Sequence, residues 1–316
     1  MSEASARALK RIRAAVGGDI DQYVVDKLGY KSKDEMFKGL MGLQVDAIAA
    51  SVYNFENKNK GMIIADQTGV GKGRQAAGII RYALRNGKTP IFVSAKDNLF
   101  TDMMEEMESI GETEAQPFLL NQDARIKNKE GEVLFKNPAR KKHVADMESI
   151  INSNKLPEGK DVLFMTYSQI NRQNLQRNVI DALRENAVFI LDESHNAAGE
   201  RETVSKVGGV KQTKRKGAGF MFDAIEDKPV MYLSATFAKF PKNTPIYYRT
   251  DLMDAVDTVD ELVDAVASGG IPLQTVVSNM LAESGQLLRR ERSFEGITIP
   301  TVVDYKNGKS HARIAD

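Results

Sequence analysis

The chain has 316 residues, of which 42% are hydrophobic and 28% charged, and its formal net charge is +1. This composition is typical of a globular protein. The sequence has no apolar run of about 18 residues, as a membrane span needs, and no N-terminal signal sequence. We therefore expect a cytoplasmic protein that is not bound to a membrane. The absence of cysteine excludes disulfides, cysteine-ligated zinc and thiol catalysis, and the low net charge argues against a protein that coats nucleic acid through a global positive field.

The first 40 residues predict an N-terminal helical segment. Its short amphipathic helices are interrupted at Gly17-Gly18 and at Gly29. Residues 41–250 predict one α/β domain, which begins with a helix from Val45 to about Phe55.

Five short apolar runs follow this helix, and each is rich in β-branched or aromatic residues. They are Met62–Ala65, Ile91–Ser94, Val162–Thr166, Val188–Leu191 and Val230–Leu233. Because each run is almost continuously apolar, it suits a parallel strand that is buried on both faces. Helical patterns such as residues 73–85 separate the runs. The alternation predicts an α/β fold in which helices flank a doubly wound parallel sheet.

Two polar stretches interrupt this alternation. Residues 111–160 are rich in Lys and Arg and are interpreted as an insertion, whereas residues 199–219 are interpreted as a mobile basic loop. Beyond Asp251 the pattern becomes helical to about Arg290. Residues 251–316 are therefore predicted to form a helical extension of the domain.

The segment from Ala65 to Arg74 has the features of a phosphate-binding loop, because it follows a predicted strand and opens a helix. In such a loop, glycines let backbone N–H groups converge on phosphate oxygens, and a lysine reaches the β- and γ-phosphates. The predicted nucleotide-binding residues are Thr68, Gly69, Val70, Gly71, Lys72, Gly73 and Arg74. Asp66 stands where the first glycine is expected, and Gly73 stands where a Ser or Thr would hold Mg²⁺. Taken alone, the segment is also compatible with a glycine-rich turn that binds no nucleotide.

A second group of candidate residues follows the fourth predicted strand. Asp192 and Glu193 end an apolar run, at what would be the carboxyl edge of the sheet. There Asp192 can hold Mg²⁺, and Glu193 can orient and polarise the attacking water. An Asp-Glu pair can also cap a helix, but that alternative does not explain the glycine–lysine loop on another strand. Lys72 and Glu193 are therefore the predicted catalytic residues, and Asp192 is the predicted metal ligand.

The third motif is Ser234-Ala235-Thr236, at the end of the fifth predicted strand. A small polar turn after a strand is common by itself. The order of the motifs is more specific: the glycine–lysine loop, then Asp192-Glu193 with His195, then Ser-Ala-Thr is typical of superfamily-2 motors. In these motors the last segment links the ATP site to the nucleic-acid groove. The predicted coupling residues are His195, Ser234, Ala235 and Thr236.

Weaker candidates surround these motifs. Gln44 lies where such motors place a glutamine that reads adenine, and an exposed helix glutamine is an almost equal alternative. The candidate nucleic-acid contacts are Ser94, Asn98, Thr166, Lys214, Arg215 and Lys216. The first three follow predicted strands and are also compatible with plain helix caps, while a lone basic run is more often simply solvated.

Together these residues resemble the Strawberry-notch family of superfamily-2 helicase-like ATPases, over about residues 38–303. The glycine after Lys72 is usual in that family, and residues 43–48 and 98–102 also resemble its members, especially those of phages and plasmids. The resemblance implies a RecA-like lobe that uses ATP and Mg²⁺ in a bacterial or phage-infected cell. Some such members are joined to a DNA methyltransferase module, which is therefore a possible partner.

The resemblance also implies a second RecA-like lobe, in cis or in trans, which would supply an arginine finger and the other wall of a DNA groove. Few residues follow Val303, so the chain is expected to be a truncated protein or one subunit of a split motor. Alone, such a lobe is expected to be a weak or inactive ATPase.

The preferred hypothesis is an ATP-dependent motor lobe that acts on nucleic acid, with DNA favoured over RNA. One alternative is a nucleotide-gated module that binds nucleic acid or a protein without translocating. Another is a relic that binds no ATP, against which Lys72 and Glu193 argue. ATP affinity separates the relic from the other two, and DNA-stimulated turnover separates the motor from the gated module.

Overall fold

The structure is a computed structural model. It describes residues 3–67, 69–128, 130–170, 174–197, 202–207, 210–215, 217–234, 241–255 and 259–290. The α-helices are α1 (Glu3–Ala15), α2 (Ile20–Leu28), α3 (Lys33–Phe37), α4 (Gly42–Tyr53), α5 (Lys72–Arg85), α6 (Leu99–Ser109), α7 (Arg140–Ser153), α8 (Leu175–Leu183), α9 (Gly217–Ala224) and α10 (Val259–Glu283). The strands are β1 (Met62–Ile64), β2 (Thr89–Ser94), β3 (Pro117–Leu119), β4 (Arg125–Lys127), β5 (Val133–Lys136), β6 (Val162–Thr166), β7 (Ala187–Asp192), β8 (Glu202–Val207), β9 (Val210–Arg215), β10 (Val230–Leu233) and β11 (Leu287–Leu288).

Seven strands form one sheet in the order β11-β1-β10-β7-β2-β6-β3, and every pairing in it is parallel. The predicted α/β class, a parallel sheet flanked by helices, is confirmed. The five runs predicted from sequence are the inner strands β1, β2, β6, β7 and β10, and almost every residue in them is buried. Their continuous apolarity follows from this position, since a helical layer covers each face of the sheet.

Successive residues of the inner strands point to opposite faces and enter two separate cores. Ile190 packs with Ile48 of α4 and Ile80 of α5 on one face. Leu191 packs with Ile180 of α8 on the other face. Full burial of a side chain of this size contributes about 1.5–3 kcal/mol to folding, so the two layers hold the inner strands firmly.

The N-terminal helices belong to the first of these cores. Ile12 of α1 and Val24 of α2 are buried in it. The predicted break at Gly29 is confirmed, because this residue caps α2 in the left-handed region with φ of 66°. Close packing of α4 on α5 needs a glycine at position 78, where a Cβ atom would clash with Ile48. The N-terminal segment therefore covers one face of the sheet.

The segment 111–160 contributes more to the sheet than an insertion would. Its strand β3 pairs with β6 at one edge of the sheet, α7 packs near α8, and β4 and β5 form a small antiparallel pair.

The strand at the opposite edge of the sheet was not predicted from the sequence. The pattern predicts helix to about Arg290, but α10 ends at Glu283 and the chain turns into β11, which pairs with β1.

The prediction of a loop over residues 199–219 is wrong in the part that the structure describes. There β8 and β9 form an antiparallel hairpin, and α9 begins at Gly217. The β-branched residues Thr203, Val204 and Val210 favour extended structure. The prediction of a loop gave more weight to the basic composition of the segment. Among the described helices, none is both long enough and apolar enough to cross a membrane.

Candidate functional site

The three sequence motifs meet at the carboxyl edge of the sheet. Asp192 at the end of β7 is in register with Leu233, which is in register with Ile64 at the end of β1. The segments that follow these three strands are the phosphate-loop candidate, the Asp-Glu pair and Ser234. In open parallel sheets, ligands bind outside the carboxyl ends of the strands. The fold thus brings together residues that are far apart in the sequence.

The loop between β1 and α5 has the backbone of a phosphate cradle. Gly69 and Gly71 have φ of 87° and 92°, in the left-handed region that glycine enters without steric cost. Gly71 is the N-cap of α5, so Lys72 is the first residue of that helix. The N–H groups of the first turn have no partner within the helix and carry partial positive charge, which favours an anion at this point.

Asp66 fixes the start of this loop through its carboxylate, although it stands where a glycine was expected. Its carboxylate is fully buried and accepts hydrogen bonds from Nε2 of Gln75 at 3.1 Å, and from Nε and the backbone N–H of Arg290 at 3.0 and 2.9 Å. Its backbone carbonyl accepts a hydrogen bond from Nζ of Lys72 at 2.7 Å. Asp66, which replaces the usual glycine, therefore fixes the start of the loop to α5 and to Arg290.

Gln44 lies directly against the phosphate loop. Its side chain is 3% exposed, and its Oε1 accepts a hydrogen bond from the N–H of Met41 at 2.9 Å. A Cβ atom on Gly71 would overlap Nε2 of Gln44, so the amide would have to move if position 71 carried a side chain. Burial rules out the alternative of an exposed helix glutamine, and the contact with adenine stays a prediction.

Gly73 lies against the side chain of Glu106. A Cβ atom on Gly73 would lie 2.9 Å from Oε1 of Glu106, on α6. The same carboxylate pairs with Nε of Arg74 at 3.3 Å, and Nη1 of Arg74 donates to the carbonyl of Gly39 at 3.2 Å. Arg74, a predicted nucleotide-binding residue, is thus held against α6 and the segment before α4. The predicted residue Val70 lies in the turn of the loop, and Thr68 lies outside the described residues.

Two neighbouring carboxylates, those of Asp192 and Glu193, lie at the end of β7. Burial and the neighbouring charge of Glu193 raise the pKa of Asp192 to about 6, while the ammonium of Lys72 acts in the opposite direction. Glu193 has φ of 45°, an unusual conformation for a residue with a side chain. Such strain costs on the order of 1–3 kcal/mol and clusters at functional sites. Its side chain stays 42% exposed, within reach of a ligand.

His195 and Ser234, two of the predicted coupling residues, lie in contact. Nδ1 of His195 lies 3.2 Å from Oγ of Ser234 and 3.3 Å from Oε2 of Glu193. The sequence did not indicate the buried Tyr247, whose hydroxyl lies 3.1 Å from Oγ of Ser194 and is also bonded to Ser234. A tyrosine in a short 3₁₀ segment has no recognisable motif. Ala235 and Thr236 lie outside the described residues.

The candidate nucleic-acid contacts are less clearly placed. Ser94 is buried and donates to the carbonyl of Lys96 at 2.8 Å. Thr166 is buried as well, and its Oγ1 accepts a hydrogen bond from Nδ2 of Asn121 at 2.8 Å. Asn98 precedes α6 without a side-chain capping bond. Of the basic cluster, Lys214 and Arg215 lie on β9, and Lys216 lies outside the described residues.

Comparison with known proteins identifies the family. A family model described as "P-loop containing NTP hydrolase pore-1" matches residues 28–314. The chain belongs to this family. The glycine loop before α5 lies within the matched residues.

Curated relatives of this P-loop chain carry the Strawberry-notch name. It is 26% identical over 259 residues to Protein strawberry notch of Drosophila melanogaster, which covers 77% of this chain and 14% of the fly protein. It is 26% identical over 278 residues to Protein strawberry notch homolog 2 of Mus musculus, which covers 82% of this chain and 18% of the mouse protein. The resemblance to this family is confirmed, and membership among its phage or plasmid forms stays a prediction. The chain spans less than a fifth of each of these two relatives.

Among solved structures, the chain is similar to the "Sulfolobus solfataricus SWI2/SNF2 ATPase core in complex with dsDNA". The TM-score is 0.48 and the sequence identity 15%, and the match covers 80% of this chain and 44% of that chain.

Proposed function

We propose that the chain is the ATP-binding lobe of a superfamily-2 helicase-like motor, which hydrolyses ATP with Mg²⁺ and acts on nucleic acid. The observation that carries this proposal is the meeting of three elements at one edge of the sheet. These are the glycine loop with Lys72, the pair Asp192-Glu193, and the contact between His195 and Ser234. Each element alone has an ordinary structural explanation, but their convergence in a P-loop family does not.

The phosphates of ATP would lie on the N-terminus of α5. Lys72 donates to the carbonyl of Asp66 at 2.7 Å, and we propose that it exchanges this neutral acceptor for phosphate oxygens. The exchange is favourable because the ammonium gains the Coulomb attraction of an anionic oxygen, which the neutral carbonyl of Asp66 does not offer. Gln44, which lies against the loop, would then face the adenine.

Mg²⁺ would be held by Asp192 together with the phosphates and water. Mg²⁺ commonly binds through one or two carboxylates plus substrate phosphates, and it keeps several waters. The site suits this mode, because Asp192 supplies one carboxylate at the carboxyl edge of the sheet, where the loop that would hold the phosphates also lies. With a pKa of about 6, the Asp192 carboxylate is mostly ionised at neutral pH, as a metal ligand must be. When bound, the ion supplies positive charge to the phosphates.

Glu193 would orient the attacking water, since its carboxylate is exposed beside the buried Asp192. Its contact with His195, and that of His195 with Ser234, form a chain of polar contacts leading away from the proposed hydrolytic centre. We propose that this chain couples hydrolysis to nucleic acid, with DNA favoured over RNA. We also propose a cytoplasmic location in a bacterial or phage-infected cell and a methyltransferase module as partner. The cell type and the methyltransferase rest on the family resemblance alone.

A second RecA-like lobe, in cis or in trans, belongs to the proposal. The described residues contain a single parallel sheet of this kind, and in the proposed mechanism ATP lies between two lobes. An arginine finger from the opposite lobe is worth roughly 10³–10⁵ in rate in other nucleotide hydrolases. Turnover by the 316-residue chain alone should therefore be slow.

Replacement of Glu193 tests the proposed hydrolysis. We expect Glu193→Gln to keep ATP affinity in the presence of Mg²⁺ and to lose phosphate release, because the amide cannot polarise water. The measurements are equilibrium binding of a fluorescent ATP analogue and single-turnover phosphate release, with and without DNA and with an added second lobe. Equal release by the variant and the wild type would contradict the role of Glu193. ATP binding without any DNA-stimulated release would favour the nucleotide-gated module instead.

A further inference from the structure

We propose that Arg290, two residues beyond the last strand β11, is a positioning residue of the nucleotide site. It would hold the phosphate loop and the first turn of α4, which carries Gln44, in one arrangement. This inference rests on the proposed ATP-binding function. It assigns a role to an arginine that no sequence motif contains and that lies far along the chain from the loop.

The first contact of Arg290 is with the base of the loop. Its guanidinium is 4% exposed as a side chain, and Nε lies 3.0 and 3.1 Å from the two carboxylate oxygens of Asp66, with Nη2 on the same carboxylate. The carboxylate has a further donor on α5 in Gln75. The pair is therefore a buried, multiply bonded ion pair at the point where β1 becomes the phosphate loop.

The second contact is with the first turn of helix α4, which carries Gln44. Nη1 of Arg290 donates to the backbone carbonyl of Leu43, directly before Gln44. Gln44 in turn packs against Gly71, whose φ of 92° favours glycine. One guanidinium thus bridges the two segments that are proposed to contact the phosphates and the adenine.

The backbone around the last strand, β11, is also hydrogen-bonded to the start of the phosphate loop. The N–H of Ala65 donates to the carbonyl of Leu288 at 2.7 Å, and the N–H of Gln67 donates to the carbonyl of Arg290 at 3.0 Å. β11 is a two-residue edge strand, so its position relative to β1 depends strongly on these bonds and on the Arg290 ion pair. A shift of the chain at Arg290 would therefore be felt by the phosphate loop.

A second buried ion pair provides a matched control. Nη1 of Arg81 lies 3.0 Å from Oε2 of Glu112, and both side chains are as deeply buried as those of Asp66 and Arg290. This pair joins α5 to the segment after α6 and has no contact with the phosphate loop. If Arg290 acts only through stability, loss of either pair should have the same consequences.

The test compares three variants with the wild-type chain. Arg290→Lys keeps the positive charge, but a single ammonium cannot reproduce the fork that reaches both Asp66 and Leu43. The double variant Asp66→Asn with Arg290→Gln removes both charges, so no buried charge is left unpaired. Glu112→Gln weakens the control pair. For each protein we would measure the thermal unfolding midpoint, ATP affinity at a temperature where the chain is folded, and hydrogen exchange of the loop amides in residues 69–75.

We expect both Arg290 variants to lose roughly 10–100-fold in ATP affinity, the range typical of groups that orient ligand-binding residues, and to exchange the loop amides faster. Glu112→Gln should lower the unfolding midpoint and leave both other readouts unchanged. Wild-type affinity and exchange in the Arg290 variants, or equal changes in Glu112→Gln, would overturn the inference. A wild-type chain that binds no ATP would instead refute the proposed function, and loop exchange would still show whether Arg290 orders the loop.

Discussion

Two regions of the molecule bury an arginine–carboxylate pair, and their comparison shows what distinguishes a binding site from a structural polar cluster. The loop region comprises residues 66–75 with Arg290. The edge region comprises Arg81, Arg85 and Glu112, where α5 meets the segment between α6 and β3. Both regions are polar and buried, and the helix α5 contributes to both.

In the edge region the polar groups have partners that close the network. Arg81 donates to the carbonyl of Leu28 at 2.9 Å and pairs with Glu112, which also pairs with Arg85 at 2.7 Å. The guanidinium of Arg81 also lies 4.1 Å from the ring of Tyr30. These contacts join helices α2 and α5 to the segment after α6.

In the loop region the same kind of ion pair supports a backbone that is shaped for a ligand. Gly69 and Gly71 lie in the left-handed region, and Lys72 is bonded to a neutral carbonyl beside a helix N-terminus. The nearby Asp192 has a raised pKa. Buried polarity alone therefore does not identify a site. The decisive features are glycine geometry, position at the carboxyl edge of the sheet, and charges whose partners a ligand can replace.

The largest expected effect on stability sharpens this contrast. Arg81→Met should destabilise the fold by about 3 kcal/mol, at the lower end of the range for breaking a buried pair, because Arg85 still partly compensates Glu112. ATP affinity of the folded protein should be unchanged. Chemical denaturation and equilibrium ATP binding check the two statements, and a large loss of affinity would show that the edge region belongs to the site.

A smaller effect is expected from His143, which is buried against the ring of Phe118. Burial lowers the pKa of His143, so the folded protein binds fewer protons at this residue than the unfolded chain. Its contribution to stability is therefore full above the unfolded pKa of about 6.5 and is lost as the pH falls below it. The unfolding free energy of wild type should drop slightly between pH 7.5 and pH 5.5, by more than that of His143→Gln. An identical pH dependence in both would contradict this explanation.

The inner part of the fold could be predicted from sequence, and the edges could not. The five inner strands are continuous apolar runs because both of their faces are buried, a local signal that survives in the sequence. β3 and β11 are edge strands of three and two residues, and they lie within stretches whose overall patterns are polar and helical. Their place in the sheet depends on pairing with β6 and β1, and such non-local contacts leave no local pattern.

The candidate site divides in the same way. Lys72, Asp192, Glu193 and Ser234 are parts of contiguous motifs, and the structure places them at one edge of the sheet. The supporting residues have no motif. Arg290 lies 224 positions from its partner Asp66, so only the folded chain reveals the pair.

The most direct test of the central claim is equilibrium ATP binding to the wild type and to Lys72→Ala in the presence of Mg²⁺. Lys72 is partly exposed and outside both cores, so its removal should leave the unfolding midpoint unchanged. If the loop before α5 binds phosphates, the wild type should bind a fluorescent ATP analogue, and the variant should lose that binding while remaining folded. Equal affinity in the two proteins would contradict the claim, because ATP would then bind elsewhere or not through this loop.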